Sequence, residues 1–500
     1  MSNYFYNLLK IFMINKISNT GFNFDNSYIE LPPEFYSPAN LQPVKSPQLV
    51  ILNNELSNSL GLNTDFLKSQ EGIYIMSGNI KIPDGAYISQ AYAGHQFGGF
   101  TMLGDGRALL IGEQITPSNQ RFDIQLKGSG RTPYSRNGDG RAVLGPMLRE
   151  YIISEAMHGL NIPTTRSLSV ISTGENVYRE TIQQGAILTR VASSHIRFGT
   201  FEYAAYMLDY EKLKKLSDYT IKRHFPFLEN NENKHINLLD EVIKLQASLV
   251  AKWQSVGFIH GVLNTDNMSI CGETIDYGPC AFMDVYNPDT VFSSIDTNGR
   301  YAYKNQIAIV NWNLYRLAET LLPIINLDEN KAIELAQNSL SKFINLATSN
   351  LSHEMCSKIG IFEPKTSDID LLNELLNMMQ KYKEDYTNTF IALTFNDLPQ
   401  KGMFISEEFI NWKKKWEETL TLQNKSKDEV FDLMKNSNPA VIPRNHRVEE
   451  ALSAANNGDF SVMDNLLKAL SNPFEHSEFQ KEYAKLPSTP QCNYRTYCGT

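Results

Sequence analysis

Between the amphipathic stretches Ile236 to Val256 and Asn305 to Leu322 lies a run, Gly257 to Asp284, too rich in glycine and aspartate to be helical. Such an interruption between long helices is a place where loops can build a site. The chain beyond Phe201 therefore reads as a helical lobe with a loop-built site inside it, and a further helix is expected over Ala332 to Asn350. The first half has the opposite texture. From Ala86 to about Gly199, glycine clusters alternate with β-prone runs at Ala108 to Gly112, Phe122 to Leu126, Leu168 to Ser172 and Ala186 to Val191, which predicts an antiparallel sheet. Pro146 opens the clearest accompanying helix, with Met147, Leu148, Tyr151, Ile152 and Ala156 at helical spacing. The expected fold is α+β in two lobes, a small antiparallel-sheet lobe and a larger helical lobe, with extensions at both ends. Residues 1–85 predict an N-terminal wrapping extension of irregular chain and small helices; 86–200 the sheet lobe; 201–437 the helical lobe; and 438–500 a C-terminal helical segment and tail.

Composition narrows the partners. With 42% apolar residues in 500, the chain can bury a large core. A net charge of −9 speaks against nucleic acid or an anionic membrane as the main partner, since neither attracts an acidic surface. No apolar run approaches the roughly 18 residues that a membrane span needs, and a signal-peptide order is missing, so a cytoplasmic location is expected. Met1 to Lys16 carries Tyr4, Phe5, Leu8, Leu9, Ile11 and Phe12, and reads as a docking or frayed segment sooner than as a short membrane helix. The five cysteines, Cys271, Cys280, Cys356, Cys492 and Cys498, are too few and too irregular for a disulfide framework or a zinc site.

Phosphate binding needs a turn tight enough to bring backbone N–H groups against an anion, which glycine permits. Gly104-Asp105-Gly106-Arg107 precedes a predicted strand, and Gly138-Asp139-Gly140-Arg141 repeats the unit before the Pro146 helix. Either alone reads as a hairpin turn; two copies, each ending in arginine, favour a polyphosphate clamp. Lys127 closes the strand Phe122 to Leu126, and the Pro146 helix offers Glu150 or Glu155 as its partner, the pairing by which protein kinases hold the α- and β-phosphates. In the helical half, His260-Gly261-Val262-Leu263-Asn264-Thr265-Asp266-Asn267 precedes Asp276-Tyr277-Gly278. Kinase-like enzymes carry an asparagine and a second aspartate in this order as metal ligands, and Asn267 and Asp276 match them. The usual catalytic aspartate falls on Gly261 or Val262, neither of which can take a proton. Asp266, immediately before the metal asparagine, is the group that can accept one from an incoming hydroxyl.

These segments resemble the selenoprotein O (SelO) family of protein adenylyltransferases over nearly the whole chain. The matching stretches are AYAGHQFGGFTMLGDGRA from Ala91, QLKGSGRTPYSRNGDGRAVLGPMLREY from Gln125, HGVLNTDNMSICGETIDYGPCAFMD from His260 and NPAVIPRNHRVEEAL from Asn438. The resemblance implies a protein-kinase-like pseudokinase fold with ATP flipped, so that the α-phosphate faces the nucleophile and AMP is transferred. It implies nucleotide contacts from Gly104, Gly106, Arg107, Lys127, Asp139, Gly140, Arg190 and Arg197, with Glu150 as partner of Lys127, Asp266 as the catalytic residue, and Asn267 and Asp276 as ligands of magnesium, or alternatively manganese. Proteins with accessible Ser, Thr or Tyr hydroxyls are the implied partners. UTP is an alternative donor, and a phosphotransferase or a catalytically silent nucleotide-binding scaffold are the alternative functions. Eukaryotic members carry selenocysteine third from the C-terminus, where this chain has Cys498; a redox role for Cys498, with Cys492 or Cys280 as its partner, is the corresponding expectation.

Overall fold

A computed structural model describes residues 20–487. Its strands are β1 (Tyr36–Pro38), β2 (Gln48–Leu52), β3 (Ile88–Gln90), β4 (Ala93–Gln96), β5 (Gly99–Met102), β6 (Ala108–Ile115), β7 (Arg121–Lys127), β8 (Ala142–Val143), β9 (Arg166–Tyr178), β10 (Ile182–Ala192), β11 (Phe258–Ile259) and β12 (Ala281–Phe282). An eight-stranded antiparallel sheet runs in the order β1-β3-β6-β7-β10-β9-β2, with β8 added on β10. The four β-prone runs lie inside β6, β7, β9 and β10, which are longer than the sequence indicates. The edges come from elsewhere: β1 and β2 belong to the N-terminal segment, read above as irregular chain with small helices.

Both faces of the sheet are covered. Ile124 and Leu126 of β7 and Ile187 of β10 pack outward against Leu56, Leu67, Ile75 and Met76 of the N-terminal segment. Ala186 and Leu188 of β10 and Val170 of β9 face inward, against Leu148 and Ile152 of the helix Leu144–Gly159. Each such Val, Leu, Ile or Met side chain contributes about 1.5–3 kcal/mol when fully buried, and alternation with period two is what sorts the strand residues to two faces. The helix begins at Leu144, two residues before the expected start; proline is tolerated there because N–H groups of a first turn have no intrahelical acceptor.

The helical lobe contains Phe198–Met207, Lys234–Ser255 and Gln306–Ile325, the last two close to the predicted stretches. Over Ala332 to Asn350 the expectation of one helix needs correction: Glu329–Leu340 and Phe343–Ser357 are separate, with a break at Ser341 and Lys342. Helices Thr366–Tyr382, Tyr386–Phe395 and Glu407–Thr421 build a second core around Trp412 and Trp416. The lobe also holds the β11–β12 pair, which closes the loop Gly257 to Asp284. Among the described residues no helix is long and apolar enough to cross a membrane. Met1 to Lys16, Cys492 and Cys498 lie outside the described residues.

Candidate active site

Strand alternation on β7 sends Asp123, Gln125 and Lys127 to the face opposite Ile124 and Leu126. The antiparallel register sets Arg190 of β10 beside Gln125, whose side-chain oxygen accepts from Arg190 Nη2 at 2.6 Å. Lys127 Nζ donates to Glu150 Oε2 at 2.5 Å, whereas Glu155 lies with Arg166, whose Nε and Nη2 donate to it at 2.9 and 2.6 Å. The choice that spacing leaves open is thus made by Arg166.

Asp276 enters this cationic corner from the helical lobe. Its Oδ1 accepts from Lys127 Nζ at 2.8 Å and Arg190 Nη1 at 2.7 Å, and its Oδ2 from Arg197 Nη1 at 2.8 Å. Burial would raise its pKa, but Lys127, Arg190 and Arg197 together outweigh burial and hold the carboxyl well below the usual range. Its φ of 64° lies in the left-handed region, a conformation that tertiary contacts must hold in place.

The neighbouring loop is braced by His260 and Gly261, neither of which lines the cleft between the lobes. His260 is fully buried, its Nε2 against the Ile275 carbonyl at 3.0 Å, and burial lowers its pKa, so it ties the two halves of the loop together as a neutral ring. Gly261 has φ 81°, and a Cβ there would lie 2.6 Å from the Pro279 carbonyl. Asn267 donates its amide Nδ2 to the Val262 carbonyl at 3.0 Å, which leaves the amide oxygen for another partner. Asp266 is 7% exposed; burial pushes its carboxyl up to about 6, with Arg197 opposing. Gln96 Nε2 donates to Asp266 Oδ2 at 3.3 Å, while the buried Oδ1 has no hydrogen-bond partner.

The β4–β5 hairpin roofs this loop. His95 N donates to Thr265 Oγ1 at 2.7 Å, Phe97 N to Asn264 Oδ1 at 3.1 Å, and Gly94 lies so close to Asp266 that a Cβ would sit 2.5 Å from Oδ1.

Between the lobes is a cleft of about 540 Å³, within the range of ligand sites. Gly104, Gly106, Arg107, Lys127, Asp139, Gly140, Arg190, Arg197, Asp266, Asn267 and Asp276 all line it; Glu150 lies behind, on Lys127. Gly104 has φ 107°, and any Cβ there would meet the Tyr134 ring at 2.5 Å. Asp139 is turned towards Arg179, which donates to it at 2.9 and 3.0 Å and lowers its pKa. Arg136, Arg141 and Arg179 join Arg107, Lys127, Arg190 and Arg197 along the wall, so a chain of net charge −9 concentrates cations here. That arrangement suits a polyanion.

Sequence reasoning missed Asp105, Gln125 and Tyr92. Asp105 is 2% exposed, accepts from Gln125 Nε2 at 3.0 Å, and burial pushes it up to about 6 against Arg197 and Arg190. It sits inside the first GDGR unit and reads locally as a turn residue. The Tyr92 ring lies 4.6 Å from the Arg197 guanidinium, a contact with no sequence signal. Cys280 is fully buried and its thiol is pushed up to about 12 by burial, while Cys498 lies outside the described residues.

A family model described as protein adenylyltransferase SelO matches residues 19–471. A protein of Bacillus cytotoxicus named protein nucleotidyltransferase YdiU is 62% identical, over 97% of this chain and 99% of its own length. One of the same name from Clostridium beijerinckii is 60% identical, over 97% and 99%. Among solved structures, ROP2 from Toxoplasma gondii, titled a virulence factor with a protein-kinase fold and no enzymatic activity, aligns with 67% of this chain and 88% of its own at 9% identity. Its TM-score is 0.22, too low to bear on the fold.

Proposed function

The chain belongs to the SelO family of protein adenylyltransferases, and from that premise we propose how its cleft transfers AMP from ATP to the Ser, Thr or Tyr hydroxyl of another protein. The triphosphate lies in the cationic corner, against Lys127, Arg190 and Arg197, with the turns at Gly104 to Arg107 and Asp139 to Gly140 supplying backbone N–H groups. Phosphate oxygens compete there with the Asp276 carboxylate for the same cations, so nucleotide binding frees Asp276. The freed carboxylate and the Asn267 amide oxygen would be the residues that hold magnesium or, alternatively, manganese, both being hard oxygen donors. Among the described residues no group of three or more His, Cys, Asp and Glu is placed to hold a metal ion. The metal would supply charge neutralisation on the leaving pyrophosphate.

Asp266 takes the proton of the incoming hydroxyl on Oδ1. The hydroxyl oxygen bonds to the α-phosphorus as the bond to the β-phosphate oxygen breaks, and pyrophosphate leaves towards Lys127, Arg190 and Arg197. This requires the flipped nucleotide. The observation that carries the reading is the Asp266 Oδ1 atom, buried, without a donor, and in the same cleft as the three cations. A cytoplasmic setting accords with ATP as substrate and with Cys271, Cys280 and Cys356 being free thiols.

ATP labelled separately on the α- and γ-phosphates tests it. Label from the α position alone is expected on protein; γ-label would make the enzyme a kinase, and neither label a silent scaffold. UTP labelled on its α-phosphate reports in the same assay whether the base matters.

A further inference from the structure

A second groove of about 510 Å³ shares Phe97 and Ile295 with the nucleotide cleft and runs on past Asn298, Arg300 and Ile309. We propose that this groove receives an extended acidic segment of the protein being modified, with Arg300 holding a carboxylate of that segment while the hydroxyl reaches Asp266. The proposal rests on the assignment of Asp266 made above.

The groove is fastened to the catalytic loop. Tyr301 donates its hydroxyl to Asn264 Oδ1 at 2.6 Å, the atom that also accepts from Phe97 N, and the Phe97 and Tyr301 rings meet edge to face with centroids 5.2 Å apart. Asn264 is two residues from Asp266, so a chain lying in the groove is positioned relative to the base and not merely near it. Phe97 and Ile295 are 41% and 57% exposed at the junction, apolar surface for the side chains next to the hydroxyl.

Arg300 supplies the charge preference. Its guanidinium lies 4.9 Å over the Trp312 ring, and no carboxylate stands at ion-pair distance from it among the described residues. Asp296 is close in sequence, but its two oxygens accept from the backbone N–H groups of Arg300 and Tyr301 at 2.9 and 2.7 Å. Arg316, on the same Trp312 ring, already pairs with Glu319 at 2.5 Å. A stacked guanidinium without a counter-ion is preorganised for a carboxylate. In the proposal that carboxylate is an Asp or Glu of another chain; residues 1–19 and 488–500, which lie outside the described residues, contain no Asp or Glu side chain.

The test uses two peptides, each with one serine, flanked by glutamates in one and by lysines in the other, with α-labelled ATP and the full chain as parent, Arg300→Glu and Arg300→Gln. The parent is expected to modify the glutamate peptide with roughly tenfold higher kcat/KM, since like charges facing each other penalise the lysine peptide. Arg300→Glu should reverse that preference and Arg300→Gln abolish it, with ATP affinity unchanged in both. Equal use of the two peptides by the parent, or an unaltered preference in Arg300→Glu, overturns the groove assignment while leaving the transfer reading intact. An equal gain on both peptides in Arg300→Glu would mean that a segment of this chain fills the groove, and overturns it too. Absence of α-label on either peptide and on any protein refutes the transfer reading, and the proposal falls with it.

Discussion

Two carboxylates of the cleft sit in opposite electrostatic settings, and their removal should abolish transfer while moving stability in opposite directions. Asp276 compensates Lys127, Arg190 and Arg197, so Asp276→Asn leaves three cations facing one another. A loss of about 1–3 kcal/mol is expected, less than for a fully buried pair because the side chain is 23% exposed. ATP with magnesium should recover part of it, since phosphates replace the carboxylate. Asp266 is held in its charged form against burial, which raises its folded pKa to about 6. A carboxylate whose folded pKa exceeds its unfolded value costs stability above that range. Asp266→Asn should therefore raise stability at pH 7 by about 1–3 kcal/mol, a gain that shrinks as pH falls from 6 and disappears below about 4. Urea denaturation at several pH values checks both; stability changes of the same sign would refute this account of the corner.

At the scale of elements, the β4–β5 hairpin fixes the base from above. Gly94→Ala would bring a Cβ to 2.5 Å from Asp266 Oδ1 and 2.9 Å from its Cβ and Cγ, so the carboxylate must move. Misplacing a catalytic group by about 1 Å can cost on the order of 10²-fold in rate. Turnover should fall by that order with ATP affinity retained, while Gly99→Ala in the same hairpin, where the nearest atom would be 3.6 Å away, should behave as the parent does. Parent-like turnover in Gly94→Ala would show that the hairpin is free to lift. What the hairpin covers was not legible in the sequence, because nothing local to Gly94, Gly98 and Gly99 reveals which loop they will meet.

At the scale of the molecule, the C-terminal segment ties the lobes together. Helices Asn445–Asn456 and Ser461–Leu470 join the Leu144–Gly159 helix in one core, and Gly159 packs on the Leu470 carbonyl so closely that a Cβ would lie 2.5 Å from it. Just before them Arg444, fully buried, donates to Asp284 and to both oxygens of Asp385, at 2.9 and 3.0 Å for the latter. Arg444→Met strands two carboxylates that have lost their counter-ion, and a loss of about 3–5 kcal/mol is expected. Because Glu150 is on the tethered helix, turnover should fall as well. A denaturation midpoint equal to the parent's would remove Arg444 from this role.

The sequence by itself determined what local chemistry encodes. Short β-prone runs between glycine clusters placed β6, β7, β9 and β10, and the order His260, Asp266, Asn267, Asp276 marked a kinase-like loop without its usual base, since those signals depend on neighbours a few residues apart. Only the tertiary structure decided which charges meet. Asp276 gathers partners 149, 86 and 79 residues away, Arg166 and not spacing leaves Glu150 to Lys127, and Asp105 becomes a buried cleft residue because Gln90 N and Gln125 Nε2 both donate to its carboxylate. The edge strands β1 and β2 likewise exist only because the sheet offers them free backbone donors and acceptors. Contacts between residues so far apart leave no period in the chain; their energy arises when packing removes them from water, and that happens only in the folded molecule.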